Sequence, residues 1–178
     1  MKRLAIALVS GIVMVAAATS AHALSVSADF PLQYTYNNAN QSADSVSGIK
    51  LGVKLPILVG LGLETYTVTT DANAATSAPE YNLGVQFLDF FYELPIPIIN
   101  IAAGLGIGTL SFEDGSGVTT YNNGLATQYF VSMGYSFIPL IDLHLGYHVV
   151  KGSVEEKTSK EKTDMGGTML SLGLRIGF

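Results

Sequence analysis

Between Ile141 and Val149 the odd positions are Ile141, Leu143, Leu145, Tyr147 and Val149, and the even ones are Asp142, His144, Gly146 and His148. A period of two is the pattern of a β-strand with unlike faces. The C-terminal segment repeats it, with Leu170, Leu172, Leu174, Ile176 and Phe178 against Ser171, Gly173, Arg175 and Gly177. So do Ile49, Leu51, Val53 and Leu55 against Gly48, Lys50, Gly52 and Lys54, and Tyr81, Leu83, Val85 and Phe87 against Asn82, Gly84 and Gln86. The pattern predicts eight strands, at 24–34, 46–55, 58–69, 80–88, 98–112, 125–136, 141–151 and 166–178. Links after the second, fourth and sixth strands are short to moderate and carry Pro56, Pro95, Pro97 and Pro139, whereas those near 35–45, 70–79, 113–124 and 152–165 are longer and mostly polar. Short turns at one end and long loops at the other describe an up-and-down meander that crosses a membrane.

The first residues break this rhythm. Lys2 and Arg3 precede an apolar stretch from Leu4 to Ala18, and Ala21, His22 and Ala23 supply the small-x-small pattern of a signal-peptidase site. Residues 1–23 are expected to be a signal peptide and 24–178 a single barrel domain. The apolar stretch is too short to serve comfortably as a retained helical anchor. Losing Lys2 and Arg3 takes the formal charge from -5 to about -7, which excludes nucleic acid as a natural partner.

Composition fits a chain that meets lipid: 48% of the residues are hydrophobic, 13% are charged, and mean hydropathy is +0.38. A soluble domain usually carries about 25% charged residues. The absence of cysteine excludes a disulfide scaffold, a zinc ribbon, a thiol enzyme and a lipoprotein anchor. A soluble lipocalin-like barrel would also alternate, but its apolar face would turn inward. Gly52, Gly62, Gly84, Gly104, Gly106, Gly108 and Gly173 would then lie on a water-facing surface, where glycine weakens strands and packs nothing. Turned the other way, these glycines line a narrow lumen, the aliphatic face meets lipid, and Tyr34, Tyr81, Tyr121, Tyr129, Tyr135 and Tyr147 form interfacial girdles.

With its signal peptide, eight alternating strands, short turns, longer loops and terminal strand Leu170–Phe178, the chain resembles the small Gram-negative outer-membrane β-barrel proteins of the OmpA/OmpX-like group. The resemblance covers the whole mature chain as architecture. It implies an outer-membrane location, contact with outer-membrane lipid, and recognition of the terminal strand by the barrel-assembly machinery, with Phe178 as the assembly signal. The group includes structural proteins, adhesins and a few lipid-modifying enzymes.

Inward positions carry the candidate chemistry. Counting outward from a turn centred on Ile57 sets Lys50 opposite Glu64 and Lys54 opposite Gly60, and the last hairpin sets Asp142 near Arg175, giving two lumen ion pairs. Pro31 disturbs the first strand and with it the facing of Asp29. Higher up, Tyr66, Leu110, Phe112, Phe130, His148 and Met169 point inward, so the lumen is polar below and apolar above. The expected state is an occluded plug in a monomer without catalytic activity. The alternative is a pocket for an acyl chain, in a lipid-pathway enzyme or an apolar-ligand binder.

His144 and His148 are read as structural lumen histidines; the alternative is a pair of candidate proton shuttles, with Ser132 and Ser171 on flanking strands and Asp142 on the same face, but no segment matches the His-x-Ser pattern of the lipid A deacylase type. The two histidines stand about 13 Å apart at strand rise, too far to share one metal. Gly104–Gly108 lacks the spacing of a nucleotide loop, and Glu113–Gly117 reads as a turn that fits no EF-hand. No cofactor is called for.

Overall fold

The computed structural model describes residues 24–38, 42–70, 81–94, 96, 99–114, 121–138 and 140–178; the expected signal peptide and most of the Glu113–Gly117 turn lie outside them. Among the described residues ten strands occur in chain order: β1 (Ser25–Tyr36), β2 (Ala43–Lys54), β3 (Val59–Thr70), β4 (Tyr81–Leu94), β5 (Ile99–Asp114), β6 (Tyr121–Asn122), β7 (Gly124–Ile138), β8 (Ile141–Glu156), β9 (Lys162–Asp164) and β10 (Gly167–Gly177). Eight long strands pair antiparallel with their chain neighbours, and β10 pairs with β1 to close the barrel. The short β6 and β9 flank the projecting end of β8. Closure pairs every long strand on both sides, as a barrel in hydrocarbon requires. At the seam the Phe178 amide donates to the Leu24 carbonyl at 2.8 Å.

Three strands differ from their expected course. In β1 the register shifts between Pro31 and Gln33. Ser25, Ser27 and Asp29 face inward before this bulge, and Tyr34 and Tyr36 face inward after it. An extra residue flips the parity of everything beyond it. Tyr34 therefore leaves the girdle expected for it and enters the core.

β4 continues to Leu94 rather than stopping at 88. Its lower part faces Leu88, Phe90, Tyr92 and Leu94 outward, which commits Leu83, Val85 and Phe87 to the interior. The upper part of β4 is thus reversed from the expected orientation, and Gly84 lies outside the lumen. β8 extends five residues past its expected end at 151, to Glu156, where it joins β6 and β9.

This reversal belongs to a rule that runs around the barrel. Near the short turns, outward residues are apolar and inward ones are polar or glycine apart from Phe91, Ala102 and Phe130; near the long loops the faces exchange character. Along β3 the outward sequence is Val59, Leu61, Leu63, then Thr65, Thr67, Thr69, while the inward one is Gly60, Gly62, Glu64, then Tyr66, Val68. On β8 the outward change falls between Val149 and Lys151, on β5 between Ile107 and Thr109, and on β10 between Leu170 and Thr168. Leu125, 84% exposed, interrupts the polar collar. The lower barrel is built for lipid and the upper barrel for water, and they share one continuous set of strands.

Candidate functional site

The lumen fills in layers. Large inward side chains sit between glycines on neighbouring strands: Phe91 between Gly60 and Gly104, Asp89 between Gly62 and Gly106, and His144 between Gly134 and Gly173. A Cβ at Gly60 would overlap the Phe91 ring, so that close approach demands glycine.

At the lower mouth, Lys54 Nζ lies 2.9 Å from Glu93 Oε1, and Arg175 Nη1 donates to Glu93 Oε2. The strand register sets Asp142 beside Arg175 as expected, yet their side chains take other partners. Asn100 Nδ2 donates to Asp142 Oδ2 at 2.6 Å, while Glu93 reaches Arg175 across the barrel. The expected Asp142–Arg175 ion pair is replaced because a bonded cross-strand neighbour is not the only group an inward side chain can reach in so narrow a cylinder.

Above this layer, Asp29 Oδ1 and His144 Nε2 lie 2.6 Å apart. Lys50 faces Glu64 across the ladder at 3.9 Å, but its closer partner is Asp89, at 2.7 Å. The Lys50 ammonium also stands 3.4 Å from the centroid of the Phe130 ring, which stacks on His148 at 5.1 Å. Phe130 consequently belongs to the lower lumen, with Phe91 and Ala102, and not to the apolar upper group in which it was expected.

Gln128 ties the next layer together by donating from Nε2 to Glu64 and to Asp89, each at 2.7 Å. His148 bonds Gln128 Oε1 through Nδ1 at 3.2 Å and Ser171 Oγ through Nε2 at 3.1 Å. Serine, imidazole and an orienting amide in this order have the spacing of a hydrolytic triad. Here all three are at most 2% exposed, so the arrangement works as a hydrogen-bonded lock on the polar layer.

Tyr66, Leu110, Phe112 and Met169 close the lumen above, joined by Tyr34, Tyr36, Val68, Leu83, Val85, Phe87, Val150, Val154 and Met165. Tyr34 donates its hydroxyl proton to the Met165 carbonyl at 3.0 Å, and Phe112 stacks on Tyr81 at 5.0 Å while meeting Tyr121 edge-on. Tyr81 and Tyr121 therefore pack against this plug, whereas Tyr129, Tyr135 and Tyr147 face outward. The residues expected to line an acyl pocket are packed against one another: Tyr66, Leu110 and Met169 are 0–2% exposed.

Asp89, Glu93 and Gln128 were missed by sequence reasoning. The signal for the first two was present, because 89, 91 and 93 alternate with Leu88, Phe90, Tyr92 and Leu94. Ending the strand at 88 hid it.

No protein-family model matches the sequence, and no curated protein matches it. Among solved structures, the chain is similar to Neisserial surface protein A, with a TM-score of 0.55 and 14% identity, covering 87% of this chain and 97% of that one. It is also similar to Ail, the attachment invasion locus protein of Yersinia pestis (TM-score 0.46, 11% identity, 86% and 97% covered), and to a major outer membrane protein from Thermus thermophilus (0.42, 16%, 88% and 100%). At 14% identity the likeness to Neisserial surface protein A is one of fold. The chain is an eight-stranded antiparallel up-and-down transmembrane β-barrel, with the fold of Neisserial surface protein A.

Proposed function

We propose that this chain is a non-catalytic, monomeric barrel of the Gram-negative outer membrane, exported by its N-terminal segment, and that it acts as a structural element or through the surface it raises above the bilayer. The observation that carries this reading is the filled lumen. A charged and amide layer in the lower barrel lies beneath a packed apolar plug, so among the described residues neither a solute path nor a substrate pocket runs down the axis. Eight strands leave an interior only wide enough for side chains. What remains for interaction is the outside: an apolar belt for lipid and, beyond it, the polar collar and the long loops.

The experiment is conductance in a planar bilayer together with mass spectrometry of lipid A from cells with and without the protein. Rare, small openings and unchanged lipid A are expected; stable porin-like channels or a shifted lipid A mass would overturn the reading. The Ser171–His148–Gln128 spacing favours one second reading, a lipid-pathway hydrolase, and the same lipid A measurement decides it. That reading needs the Met169–Tyr66 plug to open.

The terminal strand is proposed to engage the barrel-assembly machinery through Phe178, which is 67% exposed at the lower rim. Deleting Phe178 should reduce the folded, heat-modifiable form while export continues. Unchanged folded yield would remove the residue from that role.

A further inference from the structure

Below the Gln128 layer the lumen contains a cavity of about 20 Å³, measured as the space open to the centre of a water molecule. Its polar lining is Ser27, Asp29, Lys50, Ser132, His144 and Arg175, together with His148, and Phe91, Ala102 and Phe130 complete the wall. None of these residues is more than 9% exposed. The cavity lies where two networks meet without a direct bond between them, Arg175–Glu93–Lys54 beneath and Lys50–Asp89–Gln128–Glu64 above.

His144, one of the lining residues, carries an unmet hydrogen-bonding demand. Its Nε2 is engaged by the Asp29 carboxylate at 2.6 Å, which places a proton on that nitrogen. Its other ring nitrogen, Nδ1, is buried and has no partner among the described residues. In the neutral ring Nδ1 must accept a hydrogen bond, and in the charged ring it must donate one. A buried polar atom left in either state without a partner is costly. Water satisfies both cases because it donates and accepts. About 10–15 Å³ of such space suffices for one water, which needs two to four polar partners.

We propose that this cavity is a binding site for a single internal water molecule, held by His144 Nδ1 and the surrounding hydroxyl and charged groups, and that it bridges the two lumen networks. Lys50, Arg175 and His144 each already face a carboxylate, which removes the uncompensated positive charge that an anion would require. The water couples the Asp29–His144 pair to the rest of the lumen, so the polar column acts as one unit.

The test begins with a crystal structure of the unaltered protein at high resolution. One spherical peak within about 3.2 Å of His144 Nδ1 is expected. Absence of a peak, or a peak that gains anomalous signal in a bromide soak, overturns the proposal. In the second arm Ala102→Val pushes a methyl group into the space. Loss of the peak with a lower unfolding temperature in detergent supports a bound water, whereas an unchanged or higher temperature marks a dry void and overturns it. Should Ala102→Val fail to fold, magnetisation transfer from water to the His144 imidazole in isotope-labelled, unaltered protein replaces that arm; transfer supports the site and its absence overturns it.

Discussion

Lys50 has two carboxylates within reach, and distance ranks them: Asp89 at 2.7 Å before Glu64 at 3.9 Å. All three side chains are nearly inaccessible, and removing one member of a buried pair leaves a charge that nothing offsets, at a cost of about 3–5 kcal/mol. Lys50→Met should lose stability on that scale in urea unfolding from lipid vesicles. Combining it with Asp89→Asn should recover more than combining it with Glu64→Gln, because both carboxylates accept from the Gln128 amide and only their distances to Lys50 differ. Equal recovery by the two partners would contradict the ranking. At this scale the sequence reveals facing but not partnership. Parity puts Arg175 and Asp142 side by side, yet Glu93 takes the guanidinium and Asn100 the carboxylate, since the choice depends on which long side chains cross a lumen of fixed width.

Strands were legible along their lower parts, where the outward residues stay apolar. β10 and the lower part of β8 alternate as expected, and the tight turn through Ile57 puts Lys54 opposite Gly60. Two strands resisted for physical reasons. Pro31 lacks an amide proton and lies at a bulge, so β1 changes parity within a single strand. β4 carries large apolar residues on both faces where its two environments meet, Val85, Phe87 and Phe91 inward and Leu88 and Phe90 outward, so the apolar pattern of a segment that stops at 88 fits either orientation. The exchange of faces makes a prediction about β8. Leu145→Arg places a charge in mid-belt and should cost about 2–4 kcal/mol, whereas Ser153→Arg, on the same outward face above the change, should cost about 0–1 kcal/mol. Urea unfolding in vesicles measures both, and similar costs would remove the boundary between Val149 and Lys151.

Taken as a whole, the molecule joins two kinds of barrel end to end. The upper one has an ordinary globular interior, made by Val68, Leu83, Leu110, Val150 and their neighbours, beneath hydroxyl and amide side chains such as Thr67, Gln86 and Thr109. Its stability draws on the hydrophobic effect in water, whereas the lower barrel relies on lipid outside and on paired charges inside. The inward half of this division was readable from sequence as a lumen polar below and apolar above. The outward half was not, because a period-two pattern locates two faces without saying which surroundings each one meets.

The collar also sets how much hydrocarbon the barrel can cover. From Ile141 to Val149 the outward face of β8 is apolar; at about 3.4 Å per residue and a tilt of about 40°, that stretch spans roughly 21 Å of membrane. A belt near 25 Å is usual for such barrels, so the surrounding bilayer must pinch inward to meet Thr65, Thr109 and Lys151, at a modest cost for each ångström of mismatch. The protein should accordingly fold faster and resist urea better in dilauroyl than in dioleoyl phosphatidylcholine vesicles, and Thr65→Leu with Thr109→Leu should narrow the difference. Equal behaviour in the two lipids would mean that the collar enters the hydrocarbon. A pinched annulus is also a lateral address: such a barrel gathers where the membrane is already thin, and neighbours with equally short belts share its deformation.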